Sequence, residues 1–115
     1  MTQITLDFEA GQSLAVTGMN MAVESANKKE KDWSKRTWQL FLFWLRALKR
    51  GSTFMIEQFR SDMYEKDLII PPPSERAYGF LSHKASRSGY IQFVETKKVK
   101  NKKAHAANAA VWRRI

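Results

Sequence analysis

The spacing of apolar residues along the 115-residue chain predicts an α+β domain. From Met19 to Ser88 they recur at three- and four-residue intervals, the period of helices. A glycine stop follows, and then Tyr90-Ile91-Gln92-Phe93-Val94, rich in aromatic and β-branched residues. Ala109-Ala110-Val111-Trp112-Arg113 returns after a lysine-rich loop, so the two stretches read as a hairpin. With 43% hydrophobic residues, among them 4 Trp and 7 Phe, the chain has enough to fill one small core.

Residues 1–18 show no helical period and contain Gly11 and Gly18. They are expected to form a flexible N-terminal tail, with one alternating stretch at Ile4, Leu6 and Phe8. The domain itself spans 19–115. A helical pattern begins at Met19, capped by Asn20 or Ser25, and Asp32, with Ser34 nearby, restarts it before Trp33. Trp33 to Lys49 is the clearest helix. Trp38, Phe41, Leu42, Leu45 and Leu48 form its apolar stripe, while Leu40, Phe43, Trp44 and Ala47 lie outside that stripe. A helix so apolar must be covered on two sides, by the Met19–Lys31 segment or by a second subunit, so a homodimer stays open. Arg50-Gly51-Ser52 ends it.

Thr53-Phe54-Met55 is expected to make a single β-bridge, and Ile56, Phe59, Met63 and Tyr64 mark a helix reaching Lys66. Pro71-Pro72-Pro73 forms a stiff connector, because the residue before a proline is steered away from helix. Ser74 then caps a helix that runs to Ser88 and stops at Gly89, with Glu75 well placed in its first turn. Ala77, Tyr78, Leu81 and Ala85 should face inward. Arg76, Phe80, His83, Lys84 and Arg87 should face outward, with Phe80 either an exposed apolar surface or, on a slightly rotated helix, part of the core.

Lys plus Arg total 20 against 11 Asp plus Glu, a net charge of +9. The excess is local. Residues 84–115 hold nine bases against Glu95 alone, whereas residues 1–32 are net acidic. Such a distribution attracts polyanions. The absence of cysteine excludes disulfide frameworks and cysteine zinc sites. The densest apolar run, Trp38–Leu48, has 11 residues where a membrane span needs about 20. That run is core, no membrane partner is expected, and a start carrying Asp7 and Glu9 is unlike a secretory leader. A cytoplasmic protein is the expectation. His83 and His105 have no carboxylate pair beside them in sequence, the acids are scattered, and no phosphate-cradling glycine loop appears. No catalytic, metal or cofactor site is therefore expected.

Helix, bridge, helix, helix, strand, basic loop, strand is the element order of a winged helix. Several motifs run through that order. Trp33 opens the long helix, and Phe54, Glu57 and Arg60 make a Phe-x-x-Glu-x-x-Arg stretch. Ala77-Tyr78-Gly79-Phe80-Leu81 and Ala85 to Ile91 follow the proline connector, and Val111-Trp112-Arg113 closes the chain. The ordered set, covering roughly Met19 to Ile115, resembles a family of small winged-helix proteins common in bacteriophages and prophages near replication genes. The resemblance implies a DNA-binding protein that acts in replication, recombination or transcription inside a bacterial host cell.

In that reading the Ser74–Ser88 helix enters or flanks a groove of duplex DNA. Arg76 and Arg87 offer bidentate donors to guanine edges, and His83 and Lys84 meet phosphates. A merely solvated basic face is the plainer alternative. The connector Lys66–Pro73 is longer than the ~3–4-residue turn usual between such helices. Lys97, Lys98, Lys100, Lys102 and Lys103 crowd the hairpin tip, where a polyphosphate chain relieves their mutual repulsion. Arg113 and Arg114 add to the same end of the chain. Five phosphate contacts predict a slope of log K on log salt of about −4.5.

Gln3-Ile4-Thr5-Leu6-Asp7-Phe8 resembles the short extended peptide by which bacterial replication proteins dock on the sliding clamp. Leu6 and Phe8 would fill an apolar pocket, with Gln3 at its rim. The alternative function is accordingly a protein-interaction adaptor that binds a replication or host protein, the clamp among them.

Overall fold

The computed structural model describes residues 2–98 and 108–115, with residues 2–15 and 108 described by backbone alone. These residues form an α+β arrangement of four α-helices and one three-stranded antiparallel sheet. In chain order they are α1 (Thr2–Lys29), α2 (Trp33–Ala47), β1 (Thr53–Phe54), α3 (Ile56–Glu65), a 3₁₀ turn (Glu75–Tyr78), α4 (Gly79–Arg87), β2 (Ile91–Lys98) and β3 (Asn108–Arg114).

Helix α1 corrects the expected tail. Its backbone is helical from Thr2, and Asn20 and Ser25 fall within it rather than at its start. Gly11 and Gly18 do not interrupt it, because a glycine inside a helix costs only about 1 kcal/mol relative to alanine. No proline falls in the segment to break it outright. The helix packs through small residues. Ala22 and Ala26 are buried, and Gly18 precedes them on the same face at the same four-residue interval.

Asp32 stands at the N-cap of α2 in the left-handed region (φ 59°), but its side chain makes no capping bond. Asn27 of α1 caps α2 in its place. Its Oδ1 accepts from the Ser34 backbone N–H at 2.9 Å, and its Nδ2 donates to Ser34 Oγ at 3.0 Å. Around Phe41, which is fully buried, gather Phe59 (ring centroids 5.2 Å apart), Phe54 (6.1 Å), Trp38 and Trp44 (both 6.2 Å). Truncating such a residue to alanine costs about 3–5 kcal/mol. Leu40 and Trp44, which the stripe left outside, are partly buried against this core. Trp44 donates its indole N–H to Asp62 Oδ2 of α3 at 3.0 Å. The second side of α2 is thus partly covered by α3 and β1 of the same chain, and of the four residues outside the stripe Phe43, at 76%, and Ala47 stay exposed.

The connector is anchored at several points. The Leu68 N–H donates to the Met63 carbonyl, and the Trp33 indole donates to the Ile70 carbonyl. Ser74 Oγ accepts from the Arg76 N–H at 3.3 Å, as its expected capping role requires. The single helix expected over Ser74–Ser88 is instead a 3₁₀ turn followed by α4, a common tightening of a helix start. Ala77, Tyr78, Leu81 and Ala85 all face inward and are buried, as expected. At the far end Tyr90 N–H bonds to the Ala85 carbonyl and Gly89 N–H to that of Ser86, with Gly89 at φ +80°. This is the paired terminator that favours glycine.

The sheet order is β1-β3-β2, with β3 central. Phe54 pairs with Trp112, and β2 pairs with β3 from Ile91↔Arg114 to Lys98↔Asn108, with a bulge between Phe93 and Glu95. Both hairpin strands outrun the expected stretches, so Lys97 and Lys98 are strand residues rather than loop residues.

Candidate nucleic-acid interface

Alpha-helical spacing within α4 sets His83, Lys84 and Arg87 on adjoining parts of its surface, all three exposed. With Phe80 and Ser88 they line an open concavity of about 490 Å³. The Lys84 ammonium sits 4.6 Å from the centroid of the Trp38 ring, so the cation is held by the π-face of α2. Phe80, expected to point outward, is only partly exposed because its ring meets Trp33 edge-on at 6.1 Å. It forms the apolar side of the concavity.

Arg76 is exposed in the 3₁₀ turn, beside α1. Its guanidinium lies 3.7 Å from where a Cβ on Gly18 would stand. The neighbouring Glu75 is paired with Arg60 of α3 at 3.0 Å, and the same Arg60 lies 5.6 Å from the centroid of the Tyr78 ring. Behind it the Tyr64 and Tyr78 hydroxyls are 2.7 Å apart. Burial pushes both phenols up from their ordinary value. For Tyr78 the bond to Tyr64 adds to the rise, and for Tyr64 the same bond opposes it.

Lys97 and Lys98 project from the end of β2, exposed, with Glu95 Oε1 at 3.9 Å from the Lys97 ammonium. That loose surface pair withdraws little of the charge. Lys100, Lys102 and Lys103 lie outside the described residues. Arg113 and Arg114 are not brought to this end. Arg113 pairs with Gln92 and Thr53, and Arg114 with Ile91, at the root of the hairpin. At ~3.3 Å per strand residue, that root is on the order of 20 Å from Lys98. Arg114 is half-buried and donates to the Leu48 carbonyl at the end of α2, a bond that serves the fold.

Phe93 and Trp112 were not singled out by the sequence as a site. They face each other across β2 and β3 with centroids 5.7 Å apart, and Phe93 is 53% exposed just before the lysines. Ile91 and Phe93 share one face of β2 at the two-residue period, and only Ile91 reaches the core, so the sequence pattern alone does not mark Phe93 as exposed.

Gln3, Leu6 and Phe8 have helical backbone, and their side chains lie outside those described. That conformation differs from the extended one clamp docking requires. Among the described residues no three His, Asp or Glu side chains gather as metal ligands. Nor, among them, is any helix long and apolar enough to cross a membrane. No known protein family, curated protein or solved structure matches this chain.

Proposed function

We propose that the chain is a winged-helix DNA-binding protein of a phage or other mobile element, acting in replication, recombination or transcription. The observation that carries the reading is the sheet order β1-β3-β2, threaded through α2, α3 and α4. In a winged helix the short strand after the first helix pairs with the last strand, the second and third helices form the helix-turn-helix, and the closing hairpin is the wing. On this reading α4 is the recognition helix, and the β2–β3 hairpin carries the lysines.

His83, Lys84 and Arg87 span about 6 Å along α4 at ~1.5 Å per residue, and Lys97 and Lys98 supply a second point of contact. Two separated cationic points fix a rod-like polyanion in orientation as well as in place. The motif set that resembles phage and prophage proteins supports the biological setting.

Titration on duplex DNA at several salt concentrations tests the proposal. Wild type should show a log–log salt slope near −4.5, set by about 0.9 per phosphate contact. The variant with Lys97, Lys98, Lys100, Lys102 and Lys103 all changed to Ala should lose most of it. Failure to bind duplex in dilute buffer, or binding indifferent to those changes, would overturn the proposal.

A further inference from the structure

Resting on that reading, we infer that the protein grips duplex DNA without reading its bases, because α1 stands against the end of α4 that a base reader inserts. Helix-turn-helix proteins contact base edges with the N-terminal residues of the recognition helix. Here that end is the 3₁₀ turn and Gly79.

Gly79, Ser82, His83 and Ser86 follow one another at helical intervals on the side of α4 turned away from Leu81 and Ala85, both fully buried. Met19 of α1 occupies the start of that side. A Cβ placed on Gly79 would lie 3.3 Å from Met19 Sδ and 3.4 Å from its Cγ. Arg76, the residue best suited to a guanine edge, lies alongside Gly18 of the same helix. A helix with its side chains is about 10–12 Å across, and the major groove is about 12 Å wide. The groove admits one helix; two packed side by side do not fit.

Nor is α1 loosely attached. Ala22 and Ala26 are buried, and Asn27 is bonded to Ser34 at the start of α2. Arg76 and Gly79 are themselves exposed beside α1, and the later part of α4, with His83 and Arg87, is exposed together with Lys97 and Lys98 on the hairpin. Arg87 stands in the last turn of α4, away from the N-terminal part that a base reader inserts, so with His83 and the two lysines it meets phosphates, and phosphate contacts position a protein without specifying sequence.

The test uses the full chain. It is put through selection on a duplex library with a randomised core, and affinities for several individual duplexes are then measured at one salt concentration. No motif should be enriched, and affinities should agree within about threefold, where base readers separate sites by about 10³ or more. Arg76→Ala should shift binding to every duplex by the same factor. An enriched motif, or an Arg76→Ala change confined to one base position, overturns the inference and leaves DNA binding standing. Failure to bind any duplex overturns the DNA-binding reading, and this inference falls with it.

Discussion

The Trp33 indole donates its N–H to the Ile70 carbonyl at 3.0 Å, tying the start of α2 to the residue before the proline tract. The same ring meets Tyr78 edge-on at 5.4 Å and Phe80 at 6.1 Å. One side chain thus holds α2, the connector and the front of α4 in register.

That arrangement separates two contributions. Trp33→Phe keeps most of the ring packing and removes the donor, so it should cost about 1 kcal/mol, the net worth of one hydrogen bond. Trp33→Ala removes the packing as well and should cost about 3–5 kcal/mol. Urea unfolding of the two variants measures both. A Trp33→Phe variant as stable as wild type would mean that the bond to Ile70 contributes nothing separate from the ring.

The tyrosine pair behind the Arg60–Glu75 bridge predicts a loss of stability at alkaline pH. Burial raises the Tyr64 and Tyr78 phenols above the ordinary value of 10.0 in the native state. In the unfolded chain they ionise near that ordinary value. The native state therefore holds its protons where the unfolded state gives them up. The stabilisation is whole below about pH 10 and drains away as pH climbs beyond it toward the native values. Thermal unfolding between pH 8 and 11.5 should show stability falling above pH 10, with a shallower fall in Tyr78→Phe. An unchanged slope in that variant would sink the assignment.

Much of the fold was legible in the sequence because it follows from periodicity and turn chemistry. The inward set Ala77, Tyr78, Leu81 and Ala85 came from helical spacing, and the α4 stop came from Gly89. What escaped depends on partners distant along the chain. Asn27 caps α2 across a turn, and Arg114 reaches Leu48 at a separation of 66 residues. No local pattern marks either. The early start of α1 was missed because two glycines weaken its helical signal without abolishing the helix. In the candidate site, the outward cations of α4 were legible, but the presence of α1 beside them was not. Separating Arg113 and Arg114 from the lysines required the strand register.

Gly51 and Gly89 both hold positive φ, +87° and +80°. A Cβ at either position meets no atom within 4 Å, so space is not the constraint; backbone conformation is. Forcing an L-residue there costs roughly 1–2 kcal/mol. Gly51→Ala and Gly89→Ala should each lower stability by about that much, while Ser88→Ala, on the ordinary helical backbone beside Gly89, should stay within about 0.5 kcal/mol. Chemical denaturation of the three variants is the check, and a neutral Gly89→Ala would contradict the terminator role given to that residue.

Under the proposed function, basic residues near the end of the chain divide into two jobs, and a pair of variants tests the division. Arg114 donates to the Leu48 carbonyl at the C-terminus of α2, where a cation also suits the helix dipole. Lys97 and Lys98 extend into solvent, Lys97 with only a loose contact to Glu95. Arg114→Ala should therefore lower stability by about 1.5–3 kcal/mol, the range for a bond from a charged donor, and leave the salt slope of DNA binding unchanged. The double variant Lys97→Ala, Lys98→Ala should keep stability within about 0.5 kcal/mol of wild type and flatten the slope by about 1.8, at roughly 0.9 per phosphate lost. Urea unfolding and salt-dependent DNA titration on the same preparations decide the matter. If Arg114→Ala spared the fold and flattened the slope, the root of the hairpin would belong to the DNA surface, and the division drawn from strand register would be wrong.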